Sequence, residues 1–567
     1  MTEVQSADLS EEFLIWFAHH NCYFNMRFQE LEALASILGI SRASLYVDYP
    51  PPTALSESPL VRVRLPGEAA AQKLCERAVL VKAVLKVWGS GVDIAEAVQN
   101  GLTDVPPDAL AKRRSVLAPP TTYQIRVAAF GRTVSLEDKR AIMDVMKPLF
   151  HGDEIADLRD PATTVWAIEE HSHQTNEKTH LGRRSGAPRR VIVGHQVAGG
   201  RSLDKKSASG EKAFYSRYEL SERAVLGPTT MDNQLAFIMA NCACAKPGSI
   251  ALDPFCGTGG LLIATTHFGA QVYGGEIDLR VIKGWRVAYT KNKEAAQKVT
   301  KSQQAAAVRK SPVVVESLMS HDALTAYPLT MQHLHTIGIA PASWVNSSRH
   351  VESRHSMKDV EDTAADERHI FTNFYQYELP TPEIVICDTS VPPWRDTQCG
   401  WLDCIITDPP YGVRAAMKRQ GRAGDDPVVI RDAANYIPSK VNYGDDELSH
   451  DLLELAAMAL RDGGRITFLV PVDLADFLGI DRTAERGDKA SARGNFRDVA
   501  MPGSGRMHKD KRLVISETTR DPLLLDESRY VDFIPSHSQL ELAGASLQVL
   551  SAGLGRLLVT LRRLPRK

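Results

Sequence analysis

The stretch that decides the fold is Ser249-Ile-Ala-Leu-Asp-Pro-Phe-Cys-Gly-Thr-Gly-Gly260, which leads directly into the apolar residues 261–266. Its first four residues predict a short buried strand, and the apolar run after the glycines predicts a helix. Glycine permits a positive φ and lets the backbone approach a ligand closely. The N-terminus of a helix favours negative charge. The sequence therefore predicts a strand, a ligand-binding loop around Gly257 and Gly259, and a helix.

Short apolar segments recur after this stretch, separated by segments with helical spacing. Strands are predicted at residues 249–252, 270–274, 384–387, 404–407 and 466–470, and a helix before the Asp462-Gly-Gly464 turn. This alternation is typical of a parallel, doubly wound α/β sheet. In such a sheet, ligands bind beyond the carboxyl ends of the strands, where the glycine loop lies.

The loop and its surroundings predict a site for a nucleoside cofactor, S-adenosylmethionine. The second predicted strand ends at Glu276, about 20 residues after the loop, which suits a carboxylate that binds both ribose hydroxyls; Asp278 is the alternative. Asp388 follows the third strand, where it either accepts a proton from the adenine amine or caps a turn with Ser390. A dinucleotide site is disfavoured because the loop reads G-x-G-G after Asp-Pro-Phe. The predicted cofactor-binding residues are Asp253, Phe255, Gly257, Gly259, Glu276 and Asp388.

The predicted catalytic residues are Asp408, Pro409, Pro410 and Tyr411, directly after the fourth strand. An exocyclic amine on a base ring is a poor nucleophile because its lone pair is delocalised. The Asp408 carboxylate and a backbone carbonyl of the proline turn can accept its two protons and shield the developing positive charge. The prolines make the turn rigid, and Tyr411 offers a flat face for a flipped-out base.

Composition excludes several classes of protein. With 567 residues, 43% hydrophobic and 24% charged, the chain is predicted to form two or three globular domains. It has no apolar run of 18 residues and no secretory signal pattern, so no membrane partner is expected. Eight cysteines without a C-x-x-C pair predict reduced thiols, no metal site and a cytoplasmic location. His171, His173 and His180 are interpreted as surface residues rather than metal ligands.

The first 220 residues predict a mixed α+β region. A strand is expected at residues 13–17, helices at 28–38, 70–85 and 136–149, and strands at 61–65 and 123–127. The net charge of −2 means that any contact with nucleic acid must use local basic clusters. Candidates include Arg189-Arg190 and the tail with Arg562, Arg563 and Arg566. The segments of about 293–366 and 481–530 lack a strand period and are interpreted as insertions.

Three runs together resemble the THUMP-containing tRNA (guanosine-10-N2)-methyltransferases, specifically the eukaryotic catalytic subunit. The runs are Gly227-Pro-Thr-Thr-Met-Asp-Asn-Gln-Leu-Ala-Phe-Ile-Met-Ala-Asn241, Asp253-Pro-Phe-Cys-Gly-Thr-Gly-Gly-Leu-Leu-Ile-Ala264 and Ile405-Ile-Thr-Asp-Pro-Pro-Tyr-Gly-Val-Arg414. The resemblance covers nearly the full chain except the two insertions. Glu276 stands where aspartate is usual in this family, a change that keeps the carboxylate.

The resemblance implies a Rossmann-like methyltransferase domain with a mostly parallel seven-stranded sheet at residues 221–567. It also implies an N-terminal α/β domain at 1–115 and a THUMP-like RNA-binding region at 116–220. The implied reaction is methyl transfer from S-adenosylmethionine to N2 of a guanosine in tRNA, with a small zinc-binding activator subunit as partner in a heterodimer. An N6-adenine methyltransferase and a non-catalytic RNA-binding subunit of the same fold remain alternatives. A protein-glutamine methyltransferase is disfavoured because asparagine usually leads its tetrapeptide.

Overall fold

The computed structural model describes most of the chain outside its two long insertions. The described residues are 11–18, 22–48, 58–103, 105–130, 133–171, 188–199, 213–227, 229–278, 282, 370–394, 396–410, 418–420, 440–442, 444–478, 527–550 and 554–566. The predicted insertion at 293–366 lies outside the described residues, as does the predicted insertion at 481–530 except for its last residues. The chain divides into two compact units. The first is Met1–Phe214, Asp473–Arg529 and Ser546–Gly555, and the second is Tyr215–Val472, Tyr530–Ala545 and Arg556–Lys567.

The first unit is built on a seven-stranded sheet. Its strands are β1 (Glu11–Phe17), β2 (Leu60–Leu65), β3 (Val81–Gly91), β4 (Thr122–Phe130), β5 (Ile155–Ala156), β6 (Thr163–Glu170) and β7 (Arg190–Ala198). Their order is β2-β1-β3-β7-β6-β4-β5. The pairs from β2 to β6 are antiparallel, and β4 pairs in parallel with β5 and β6. Strands from both sides of the predicted boundary at residue 115 therefore join one sheet.

Six helices belong to this unit before residue 150: α1 (Arg27–Ile37), α2 (Arg42–Leu45), α3 (Glu68–Arg77), α4 (Ile94–Asn100), α5 (Pro107–Leu117) and α6 (Leu136–Met146). The prediction of one helix over residues 70–85 is wrong in its second half. The helix α3 ends at Arg77, and Val81 begins the strand β3. Residues 78–81 are fully buried. A strand buried on both faces has no alternation that would distinguish it from a buried helix.

The core of the first unit lies between the sheet and its helices. One cluster joins Trp88, Val165 and Val193 of the strands to Val98, Leu117 and Met146 of α4, α5 and α6. A second cluster on other strand positions contains Leu14, Trp16 and Trp166. The indole rings of the two tryptophans meet edge to face, with their centroids 5.1 Å apart. Burying large aromatic side chains contributes a large share of the stability of such a sheet.

The second unit contains the predicted parallel sheet. The strands of this sheet are β8 (Ile250–Asp253), β9 (Gln271–Glu276), β10 (Glu383–Ile386), β11 (Leu402–Thr407), β14 (Leu460–Asp473), β15 (Leu540–Val549) and β16 (Leu554–Arg563). Asp473 at the end of β14 and the residues of β15 and β16 within 546–555 are assigned to the first unit. Their order is β10-β9-β8-β11-β14-β16-β15. The neighbours from β10 to β14 are parallel. The chain leaves β8 toward one edge through β9 and β10, then returns to β11 on the other side of β8. The topological switch point therefore lies between β8 and β11.

The helices of this part of the chain are α7 (Asn233–Cys242), α8 (Gly260–His267), α9 (Ile370–Tyr377), α10 (Asp445–Ala459) and α11 (Leu474–Leu478). A separate two-stranded sheet pairs β12 (Lys418–Gln420) with β13 (Lys440–Asn442). The predicted Asp462-Gly-Gly464 turn appears as an irregularity inside the long strand β14, where the register with β11 shifts. The C-terminal strands β15 and β16 complete the predicted seven-stranded sheet, although their own segments carried no strand prediction.

Candidate active site

Asp253 ends the central strand β8 and is 2% exposed. Its Oδ1 accepts a hydrogen bond from the Phe255 backbone N–H at 3.0 Å and another from the Thr407 hydroxyl at 2.8 Å. Thr407 is the last residue of β11, the strand next to β8. The two motifs that the sequence singled out are therefore adjacent in space and joined by a hydrogen bond.

The glycine loop has the left-handed backbone that the sequence predicts. Gly257 has φ of 49° and Gly259 has φ of 81°. A Cβ at Gly257 would meet no atom of the described residues within 4 Å, so these residues leave room for a ligand on this side of the loop. A Cβ at Gly259 would lie 3.1 Å from both Ile370 and Phe374, so α9 packs directly against the other side of the loop. The loop therefore has one open side and one packed side.

Glu276 ends the strand β9 and braces the same loop. Its Oε2 accepts from the Gly257 backbone N–H at 2.9 Å, and its Oε1 accepts from the Asp278 N–H at 2.7 Å. These bonds fix the orientation of the carboxylate. The role of Glu276 toward the ribose hydroxyls of a cofactor stays a prediction.

Asp388 shows the turn interaction that the sequence offered as one alternative. Its Oδ1 accepts from both the backbone N–H and the hydroxyl of Ser390, each at 2.9 Å. The neighbouring Thr389 hydroxyl donates to the Pro254 carbonyl at 3.2 Å, which ties this turn to the glycine loop. Asp388 is 7% exposed. Its role toward an adenine amine stays a prediction.

The catalytic tetrapeptide begins directly after β11. Asp408 is half-buried, Pro409 is buried and Pro410 is half-buried. Tyr411 lies outside the described residues, so its stacking role stays a prediction. The parallel pairing of β8 with β11 places Asp408 at the same sheet edge as Asp253.

Several carboxylates share this edge, and their charges act on one another. Burial, together with the charges of Asp408 and Glu276, raises the pKa of Asp253 to about 7. The hydrogen bonds from Thr407 and the Phe255 N–H oppose this rise because they stabilise the charged form. Burial also raises the pKa of the Cys256 thiol well above its usual range, so this group stays neutral. The site therefore concentrates negative charge where a positively charged ligand would lie.

Asn373 on α9 is a functional-site residue that sequence reasoning missed. It is fully buried, and its Oδ1 accepts from the Val225 N–H at 2.8 Å. Its Nδ2 donates to the carbonyls of Val225 and Thr258 at 3.0 and 3.2 Å. One side chain thus holds the glycine loop and the segment before α7 together. The sequence carries no signal that distinguishes Asn373 from the other polar residues of α9, Thr372 and Gln376.

Arg223 is a second residue that the sequence did not identify. It is 1% exposed, and its Nη2 donates to the Tyr218 carbonyl at 3.2 Å. Its Nε and Nη1 have no hydrogen-bond partner among the residues that the structure describes. Nη1 lies 3.5 Å from the position that a Cβ on Gly260 would take, at the start of α8. The Arg223 guanidinium therefore lies close to the start of α8, directly after the glycine loop.

The sequence predicted no metal centre. Within the described ranges, no group of three or more His, Cys, Asp or Glu side chains could hold a metal ion. His171 is buried, not exposed as expected, with its Nε2 3.2 Å from Glu169. His173 and His180 lie outside the described residues. None of the described helices is long and apolar enough to cross a membrane.

Two family models match the chain. The model described as the Tmrp11 THUMP N-terminal domain matches residues 11–202, and the RMKL-like methyltransferase domain matches residues 221–333. The tRNA (guanine(10)-N(2))-methyltransferase of Xenopus laevis is 26% identical over 465 residues, which cover 82% of this chain and 76% of that protein. The human protein of the same name is 26% identical over 457 residues, covering 79% and 78%. The crystal structure of TrmN from Thermus thermophilus covers 98% of this chain and 100% of its own, with 14% identity and a TM-score of 0.33.

The parallel sheet, the glycine loop at its switch point and the matched methyltransferase domain define an S-adenosylmethionine-dependent methyltransferase. A THUMP-type domain precedes the methyltransferase domain. The chain matches the family models of a THUMP N-terminal domain and of a methyltransferase domain, and it is similar to tRNA (guanine(10)-N(2))-methyltransferases over about four fifths of its length.

Proposed function

We propose that this enzyme transfers a methyl group from S-adenosylmethionine to the exocyclic N2 of a guanosine in tRNA, at position 10. The observation that carries the proposal is the adjacency of the glycine loop and the Asp-Pro-Pro segment, joined by the bond between Thr407 and Asp253. A methyl donor held by the loop would face an amine held by the segment. The relatives that cover about four fifths of the chain are tRNA guanine-10 methyltransferases, which supports the choice of substrate.

The residues of the loop fit the cofactor. We assign the ribose hydroxyls to Glu276, whose carboxylate the Gly257 and Asp278 N–H groups hold in a fixed orientation. The open side of Gly257 leaves room for the nucleoside, and the N-terminus of α8 favours its carboxylate. Phe255, Gly259, Asp253 and Asp388 complete the proposed binding set. When bound, S-adenosylmethionine supplies a methyl group activated by a sulfonium charge.

Asp408 is the group that we assign to the amine of the substrate. Its carboxylate and a backbone carbonyl of Pro409 or Pro410 would accept the two N–H bonds of the amine. Pre-organised acceptors of this kind stabilise the positive charge that develops on nitrogen as it forms the new bond. The Asp408 carboxylate then takes the proton that the methylated amine releases. Tyr411 would stack on the guanine and keep it in place.

The first unit is the part that we assign to tRNA binding, through its THUMP-type domain. The basic clusters suggested by the sequence differ in whether their side chains already form ion pairs. Arg190 is engaged by Glu170 at 2.7 Å, and Arg566 by Asp462 at 2.9 Å. Arg562 pairs with Glu541. Paired cations neutralise less phosphate charge, so Arg189 is a better candidate for an RNA contact than the C-terminal tail.

We further propose that the enzyme acts as a heterodimer with a small zinc-binding activator subunit in the cytoplasm. The activator rests on the family resemblance. The strand β10 supports it, because β10 lies at the edge of the methyltransferase sheet and its last residue, Ile386, is 51% exposed. A partner strand could pair with this edge. The eight cysteines form no disulfide, which fits a reducing compartment.

The experiment that tests the function measures transfer of labelled methyl from S-adenosylmethionine to bulk tRNA, with and without the activator. Nucleoside mass spectrometry then identifies the product. We expect N2-methylguanosine at a single position, and tRNA from cells that lack the enzyme should lose that nucleoside. Appearance of N6-methyladenosine would favour the alternative exocyclic-amine reaction. Unchanged tRNA nucleosides in such cells would refute the proposal.

A further inference from the structure

Thr407 links the two halves of the active site through a single hydroxyl group. It is fully buried at the end of β11, and its Oγ1 donates to Asp253 Oδ1 at 2.8 Å. Asp408 is the next residue in the chain. The side chain of the first motif is therefore held by the residue that precedes the second motif. Phe255 N–H donates to the same oxygen. In the described part of the chain, no donor contacts the other oxygen, Oδ2.

The charge of Asp253 depends on this bond. Burial, Asp408 and Glu276 all favour the protonated acid, whereas Thr407 and the Phe255 N–H favour the carboxylate. The result is a pKa of about 7, so a small change near the group alters its charge at neutral pH. The Cys256 thiol is another titratable neighbour, and burial keeps it neutral, as it does the Cys387 thiol beyond it. Thr407 is thus one of two hydrogen-bond donors that oppose protonation.

The reaction changes the charge of the cofactor. S-adenosylmethionine carries a sulfonium cation, and S-adenosylhomocysteine, the product, carries a neutral thioether in its place. A buried carboxylate attracts the first more than the second, because Coulomb interactions are strong where water is excluded. The protonated acid has no such preference. The state of Asp253 therefore decides how well the site distinguishes substrate from product.

We propose that Thr407 is a positioning residue that keeps Asp253 ionised and so makes the site prefer S-adenosylmethionine over S-adenosylhomocysteine. The inference rests on the proposed function, because it requires a sulfonium cofactor in the glycine loop. It extends that function by naming a residue, outside the motif residues, that favours release of the product.

The test is isothermal titration calorimetry of the full chain with each of the two ligands at several pH values around 7. In the unmodified protein, affinity for S-adenosylmethionine should rise with pH through about 7 as Asp253 ionises, and affinity for S-adenosylhomocysteine should rise less. Thr407→Val keeps the shape of the side chain and removes the donor. We expect it to lower S-adenosylmethionine affinity roughly tenfold at neutral pH and to move the rise to higher pH.

Thr407→Ser is the matched control, because it retains the hydroxyl and should restore both the affinity and the pH profile. Equal losses for the two ligands, or an unchanged pH profile in Thr407→Val, would mean that the bond only supports the fold. If Thr407→Val does not fold, Asp253→Asn provides the same test. A permanently neutral side chain should abolish the pH dependence and reduce the preference for S-adenosylmethionine.

The outcomes also separate this inference from the proposed function. A chain that binds neither ligand would contradict the function itself. A chain that binds S-adenosylmethionine and methylates tRNA, with Thr407→Val indistinguishable from the unmodified protein, would overturn the inference about Thr407 alone.

Discussion

The surroundings of buried ionisable groups differ between the units of the first and the second seven-stranded sheet. In the first unit, the buried groups Glu30 and Arg113 each have backbone hydrogen-bond partners of their own. Glu30 accepts from the backbone N–H groups of Val79 and Leu80, and Arg113 donates to the carbonyls of Gly101 and Trp88. In the second sheet, Asp253 shares one edge with Glu276 and Asp408, which raise its pKa. Matched charges stabilise a fold, whereas crowded charges of one sign prepare a site for a ligand.

Strand direction explains the difference. Parallel neighbours place their carboxyl ends at the same edge, so the residues that follow β8, β9 and β11 must meet there. Antiparallel neighbours such as β1 and β3 send their ends to opposite edges. We expect changes at the carboxylates of the second sheet to affect methyl transfer, and changes at the matched groups of the first unit to affect stability.

The largest effect is expected from Asp408→Ala, which removes the proposed acceptor for the substrate amine. Methyl transfer to tRNA should fall roughly a thousandfold or more, because a pre-organised electrostatic partner is lost. Cofactor affinity measured by calorimetry should survive. Asp446→Ala, at an exposed position of α10, is the control and should leave transfer unchanged. Loss of cofactor binding together with activity would assign Asp408 to the cofactor instead.

Gly259→Ala should be the most destabilising of the changes proposed for the second sheet. The alanine would keep a φ of 81°, and its Cβ would lie 3.1 Å from both Ile370 and Phe374. Strain and crowding together should cost about 3 kcal/mol, measured by urea unfolding. Gly152→Ala in the first unit has a φ of 94°, but its Cβ would meet no atom of the described residues within 4 Å, so it carries the strain alone. Equal costs for the two variants would contradict the packing of α9 against the loop.

Glu30→Gln should damage the first sheet without affecting the site. The fully buried carboxylate accepts two backbone N–H bonds, and an amide can accept only one of them. The remaining unsatisfied group should cost about 2–3 kcal/mol, with faster amide exchange at Val79 and Leu80. Glu12→Gln, at an exposed ion pair with Arg62, is the control and should have little effect. Lost cofactor affinity in Glu30→Gln would contradict the separation of roles.

The smallest expected effect is a pH dependence of stability that His195 adds to the first sheet. Burial, with Lys86 and Arg113 nearby, lowers the pKa of His195 to about 4 from 6.5, and its Nδ1 accepts from the Trp88 indole at 2.9 Å. Because the folded pKa is the lower one, this contribution is present above about 6.5 and is lost as pH falls toward 4. Between pH 7 and 5 the loss should be about 2 kcal/mol.

The variant that checks this pH dependence is His195→Gln, which keeps a polar group beside Trp88 but does not titrate. Its unfolding free energy should vary less between pH 7 and 5 than that of the unmodified chain. A pH slope identical in both proteins would mean that other groups account for the acid sensitivity.

The sequence predicted the second sheet more accurately than the first. The observed strands end at Asp253, Glu276 and Thr407, within two residues of the predicted ends, because short apolar runs separated by glycine turns carry a clear pattern. In the first sheet, residues 81–85 were assigned to a helix, since a strand buried on both faces shows no alternation. Asn373 was missed because a lone buried amide has no spacing signature; only its contacts with Val225 and Thr258 reveal its role.

The sequence by itself determined five strands of the second sheet, the glycine loop and the position of each motif after its strand. These features follow from local patterns of apolar residues, glycine and proline, which act within a few residues of the chain. The tertiary structure alone decided that Thr407 bonds to Asp253 across 154 residues, and that Asp408 and Glu276 raise the pKa of the same carboxyl. Hydrogen bonds and electric fields depend on distance in space, and the parallel sheet sets those distances.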